Sequence, residues 1–195
     1  TEEHKYNPFY LEIKPIFFTN NLGYSKTLNE SDDKIVFNLY YSYIDYDSKN
    51  KQVSFVTDEN GIITDTTPYR LNVFNKNNSN DVRFDIDYTN VISEKTTLET
   101  GGFYHQYNRF LDITYTEFDY TINDWVNHPD YTNKYNFDEV VYATYLNLNS
   151  SFWGVNTSIG LRMEYTDRLL KRKNSDEKYK YQKANYFPGL SVSKN

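Results

Sequence analysis

The sequence predicts an all-β chain of antiparallel strands. Three observations support this. Period-two alternation of apolar and polar side chains recurs along the chain, helical periodicity is nearly absent, and connections alternate in length.

The alternation is clearest in residues 81–89. Val82, Phe84, Ile86 and Tyr88 fall on one face, against Asp81, Arg83, Asp85 and Asp87 on the other. Residues 158–166 repeat it, with Ile159, Leu161, Met163 and Tyr165 opposed to Ser158, Arg162, Glu164 and Thr166. In residues 34–43 the apolar set is Ile35, Phe37, Leu39, Tyr41 and Tyr43, and in 140–149 it is Tyr142, Thr144, Leu146 and Leu148.

About seven strands are expected, near 10–28, 34–47, 68–90, 97–117, 137–149, 156–170 and 183–194. Each supplies the roughly 9–11 residues that a tilted strand needs to cross a bilayer. Residues 29–33, 92–96 and 150–155 read as short turns; 47–67, 119–136 and 171–182 read as long polar loops. Short turns at one end and long loops at the other is the layout of a transmembrane β-barrel. Two local features disturb the pattern. Phe110, Leu111 and Ile113 fall on both faces, which a bulge or emergence above the bilayer explains. Pro15 and Pro188 lie inside expected strands, where each removes a ladder donor.

Composition narrows the setting. Of 195 residues, 21 are Tyr and 13 Phe, more aromatic than a soluble core needs and suited to surfaces half apolar and half wet. With a net charge of −6, no basic field argues for nucleic acid or for an anionic membrane leaflet as a partner. The basic run Lys171, Arg172 and Lys173 reads as a solvated loop. No cysteine is present, so disulfides and thiolate chemistry are excluded. The sequence contains no apolar run long enough for a spanning helix. Its opening residues are polar, unlike a secretory leader.

Residues 137–148, from Phe137 through Leu148, resemble a strand of the later barrel in TonB-dependent receptors of Bacteroidota-type bacteria. Gly160, Leu161, Arg162 and Glu164 are similar to that family's GLRxE strand. Tyr186, Phe187, Pro188 and Gly189 resemble its FPS strand, with Gly189 where Ser is usual. Upstream, Leu98, Glu99, Thr100 and Gly101 resemble its LETG segment. The resemblance covers residues 80–195 and implies an outer-membrane barrel of about 22 strands around a plug, importing a nutrient with energy from the TonB system. About seven strands cannot close such a wall. The expectation is therefore a fragment, residues 1–195 of one barrel domain, with plug and remaining strands absent. Its expected partners are outer-membrane lipid, the rest of the barrel, the plug and, through the plug, TonB. A surface lipoprotein is a further conceivable partner of such a receptor.

Chemistry-bearing constellations are sparse. His4, His105 and His128 lack metal-ligand spacing, and neither a metal nor another cofactor is expected. Neither a phosphate-binding glycine loop nor a G-x-S-x-G elbow occurs, and Gly101 and Gly102 read as relief of crowding in a strand or as a bend. No catalysis is expected. Lipid is the expected neighbour of Ile35, Phe37, Leu39, Val82, Phe84, Ile86, Leu146, Leu148, Ile159, Leu161 and Met163. Arg83, Asp85, Asp87, Arg162 and Glu164 are expected to face the lumen, as ion pairs of a polar interior or as contacts to plug or substrate. The loop residues Trp125, Asn127, His128, Asp130 and Tyr131 are the candidate ligand contacts, through stacking and hydrogen bonds. The competing reading is a soluble β-sandwich that binds a carbohydrate or other ligand, favoured by the mean hydropathy of −0.82.

Overall fold

A computed structural model describes residues 4–30, 32–173 and 175–194. The strands are β1 (His4–Tyr6), β2 (Phe9–Thr27), β3 (Lys34–Thr57), β4 (Tyr69–Ser93), β5 (Thr96–Asp119), β6 (Asp124–Asn127), β7 (Asn133–Phe152), β8 (Val155–Arg172) and β9 (Lys178–Lys194). They form one antiparallel sheet in which the long strands pair in chain order. Short β1 continues the line of β2 against β3, and short β6 continues the line of β7 against β5. Seven ladder lines result, the number expected from the alternation.

The strands are longer than expected at one end. β3 runs to Thr57, β7 starts at Asn133, and Lys171 and Arg172 pair with β9 or β7. The basic run is therefore strand for its first two residues, a correction to the loop expected at 171–182. The reason is physical: in this stretch both faces are polar, so ladder pairing continues where the hydropathy signal has ended. The connection there shrinks to residues 173–177, while 58–68 and 120–132 remain long.

The opposite end carries tight turns. Trp153 (φ 53°) and Gly154 (φ 75°) link β7 to β8 with both central residues left-handed, as a type I′ hairpin turn requires. Between β2 and β3, Asp33 organises the turn. Its carboxylate accepts from the Val91 amide at 2.7 Å, Asn90 at 2.9 Å, Asn29 at 3.0 Å and the Tyr88 hydroxyl at 3.2 Å. Those donors, led by the Val91 amide, hold its carboxyl below the usual aspartate range.

Neither disturbing feature interrupts the sheet. The β4–β5 register is unbroken opposite Phe110 and Ile113, so no bulge lies there; the chain continues as strand beyond the apolar band. Pro15 lies in β2 and Pro188 in β9, within unbroken registers to β3 and β8, so each strand continues through its missing donor. Among the described residues no hydrophobic side chain is buried. A sandwich would need a second sheet packed on the first, and the described strands form one layer.

Candidate functional site

Residues directly opposite one another in a sheet share a face, so the register assigns every side chain to one of two surfaces. One row reads Leu22, Leu39, Phe84, Tyr104, Tyr142, Tyr165, Ala184 across the long strands. The next reads Tyr24, Phe37, Ile86, Gly102, Thr144, Met163, Tyr186, and a third contains Ile35, Tyr88, Leu146, Leu161 and Pro188. Val82 lies one row to one side, and Leu148 with Ile159 one row to the other. All eleven apolar residues singled out in the sequence therefore lie on one face.

That face is uncovered. Leu146 is 52% exposed, Leu161 51% and Ile159 55%, while their polar-side neighbours Tyr145, Asn147, Ser158 and Gly160 are more sheltered. Apolar-out, polar-in burial is the inverse of a soluble domain. Five rows, the outermost of which (Val82) also carries Gln106, Asp167 and Gln182, cover about 27 Å of strand, or roughly 20 Å of height once tilted, close to the roughly 25 Å apolar band of a membrane barrel.

Arg83, Asp85, Asp87, Arg162 and Glu164 share the opposite face, but they do not form one cluster. Arg83 grips Asp81 on its own strand with two bonds, at 2.6 and 3.1 Å, and His105 Nε2 lies 3.0 Å from the same carboxylate. Asn38 donates to Asp85 at 2.6 Å and the Tyr145 hydroxyl to Asp87 at 2.7 Å. Arg162 pairs with Glu164 at 3.0 Å on β8, three strands further round than β4. The sequence did not single out Arg168, which pairs with Glu139 and lies over the Phe137 and Tyr181 rings. Each of the five thus has a partner on its own face, although Arg83 and Arg162 stay about half exposed.

The loop residues split. Trp125 and Asn127 belong to β6 rather than to a loop. Trp125 packs edge-on against Phe118 at 5.4 Å, and Arg70 lies over Phe118 and Tyr120. A cavity of about 450 Å³ is lined by Asn127 and His128, together with Glu117, Asp119 and Tyr120, which the sequence did not flag. Asp119 is held below the usual carboxylate range by the Thr121 hydroxyl and amide. The His128 ring sits 4.3 Å from that of Tyr131, with Nδ1 buried and without a hydrogen-bond partner. Trp125, Asp130 and Tyr131 lie outside the cavity lining. Loop aromatics signalled this region; the acidic side comes from the end of β5, which only pairing brings there.

The sequence model of the outer membrane protein beta-barrel family matches residues 26–195. The chain belongs to that family. As a family member it is an outer-membrane protein, and its uncovered apolar face is of the kind such a barrel turns to lipid. No curated protein matches the sequence. Among solved structures, it is similar to the ferric citrate transporter FecA in its unliganded form, with a TM-score of 0.49 and 10% identity over 84% of this chain and 25% of that one. It is also similar to the ferric yersiniabactin uptake receptor FyuA from Yersinia pestis, with a TM-score of 0.37 and 9% identity over 83% of this chain and 24% of that one. The chain spans about a quarter of the length of these two proteins.

Proposed function

We propose that this chain is a stretch of wall in a TonB-dependent outer-membrane transporter for nutrient uptake, with no catalysis of its own. The observation that carries the proposal is the apolar face continuous over seven ladder lines, backed by a polar face whose charges are internally paired. The four motifs at residues 98–101, 137–148, 160–164 and 186–189 support the TonB-dependent, Bacteroidota-type assignment.

In this reading Ile35, Phe37, Leu39, Val82, Phe84, Ile86, Leu146, Leu148, Ile159, Leu161 and Met163 contact lipid. Arg83, Asp85, Asp87, Arg162 and Glu164 face the lumen, and the cavity beside Asn127 and His128 meets ligand outside the cell. Strands β2 and β9 each have one neighbour in the described sheet, and hydrocarbon does not tolerate unpaired edges. The wall therefore requires further strands and, for energised import, a plug that reaches TonB.

The test compares cells with and without the gene for the full-length protein, with and without a protonophore, by metabolite depletion of the medium. A gene-dependent, protonophore-sensitive depletion supports the transporter. Depletion that needs the gene but ignores the protonophore contradicts the TonB-dependent reading, and no gene-dependent depletion contradicts import.

A further inference from the structure

The basic run that the sequence assigned to a loop takes on a different meaning once its register is known. Above the apolar band, the lipid-side face of β7, β8 and β9 carries a concentration of lysines. Lys171 stands directly opposite Lys178, and Lys180 opposite Leu169 one row nearer the band. One row further out, the Lys173 amide bonds to the Lys134 carbonyl, and the Lys173 ammonium lies 5.2 Å from the centre of the Phe110 ring on that same face.

Like charges directly opposite in a sheet destabilise it, so a Lys171–Lys178 pair calls for a counter-charge. The protein supplies part of it. Among the described residues, neither Lys171, Lys178 nor Lys180 makes an ion pair, whereas Lys134 pairs with Asp112 at 2.7 Å. Asp138, in the Lys180 row, and Asp167, one row nearer the band, each accept from a carboxamide, Asn108 at 2.7 Å and Gln182 at 2.6 Å, and keep their negative charge. Glu177 reaches to Arg172, whose side chain belongs to the other face. Five lysines against Asp112, Asp138 and Asp167 leave the patch net positive on a chain whose overall charge is −6.

Its height matters. Lys180 lies two rows beyond Tyr165, about 13 Å along the strand and roughly 10 Å of elevation after tilt. A lysine stem can lie along the surface and carry its ammonium several ångströms back toward the band. The charges therefore stand at the level of lipid head groups and point outward from the wall.

We infer that Lys171, Lys178 and Lys180, supported by Lys134 and Lys173, form a docking surface for a phosphate-bearing head group of an outer-leaflet glycolipid. The inference rests on the membrane-wall reading above, including the assignment of the long-loop end to the exterior.

The test uses the full-length protein in phosphatidylcholine nanodiscs, with and without lipid A, and reads the thermal unfolding midpoint. Lipid A is expected to raise the midpoint by a few degrees, and its dephosphorylated form to leave it unchanged. The triple variant Lys171→Gln, Lys178→Gln, Lys180→Gln is expected to lose that shift while matching the wild type in phosphatidylcholine alone. An equal shift with the dephosphorylated lipid, or in the triple variant, overturns the inference. So does inorganic phosphate reproducing the shift, since the source is then soluble. Should the variant fold poorly, native mass spectrometry of the wild type decides: retained lipid A adducts support the surface, and their absence refutes it. A protein that never enters nanodiscs refutes the wall reading itself; one that inserts without a shift refutes only the docking surface.

Discussion

The Tyr145 hydroxyl donates a 2.7 Å hydrogen bond to Asp87 Oδ1 by passing over Gly101, which lies between them on the polar face of β5. A Cβ at position 101 would stand 2.5 Å from Asp87 Oδ1, 2.5 Å from Tyr145 Cε1 and 2.7 Å from the Ile86 carbonyl oxygen. The glycine is there because a side chain from one neighbouring strand must reach the other.

It follows that Gly101→Ala destabilises the folded wall by about 1–3 kcal/mol, the range of overpacking in a filled site. Gly102→Ala serves as control, because its nearest atom would be 3.7 Å away in ordinary contact. Urea unfolding of the full-length protein in detergent checks this, and equal midpoints for the two variants would contradict the crowding at Gly101. Tyr145→Phe should cost about 1–2 kcal/mol, by leaving Asp87 short of a donor.

Both the reach of Tyr145 and the need for Gly101 were only partly legible in the sequence. Relief of crowding was expected at Gly101, but its cause joins residues 58 positions apart. The two faces of β4 and β8 could be read because Val82, Phe84 and Ile86 or Ile159, Leu161 and Met163 alternate with charged or small residues. The alternation fails beyond the band. There Asn78, Asn136 and Lys171 occupy the same side as the apolar residues below them, so the strand ends at Thr57, Asn133 and Arg172 were placed too early or too late. The candidate cavity was half legible. Its His128 and Asn127 stood out beside aromatics, whereas Glu117 and Asp119 arrive through β5–β6 pairing.

Asp33 gives the β2–β3 turn a pH dependence. Its carboxyl is depressed in the folded state, so the stabilisation it provides is complete above the ordinary aspartate value of about 3.9. That stabilisation disappears as pH falls through the lower folded value. Asp33→Ala should therefore be less stable than the wild type at neutral pH, with the two unfolding midpoints converging in acid. A difference that persists undiminished at the lowest pH would contradict the charge-based account.

The two tryptophans report on the two ends of the wall. Trp153 sits at the tip of the β7–β8 turn, 91% exposed, whereas Trp125 lies in β6 at the opposite end. If the long connections face outward, a membrane-impermeant thiol reagent labels Trp125→Cys in intact cells and reaches Trp153→Cys only after permeabilisation. The reverse pattern would invert the wall.

A single arginine on the apolar face should be costly. Leu161→Arg, near the middle of β8, is expected to impair assembly by about 2–4 kcal/mol, the cost of such a charge near the bilayer midplane. Refolding yield into vesicles measures this, and a yield equal to the wild type would place Leu161 outside lipid.

The most direct test of the membrane wall is spin-label accessibility along β8 in the lipid-reconstituted full-length protein. These 195 residues hold no cysteine, so single cysteines can be placed in turn at residues 158–166 of a cysteine-free full-length background. Labels at 159, 161, 163 and 165 should be accessible to oxygen from the bilayer, and those at 158, 160, 162 and 164 to a polar relaxation agent, in strict period two. Accessibility without alternation, or with polar-agent access at Leu161 and oxygen access at Arg162, would contradict a lipid-facing apolar surface.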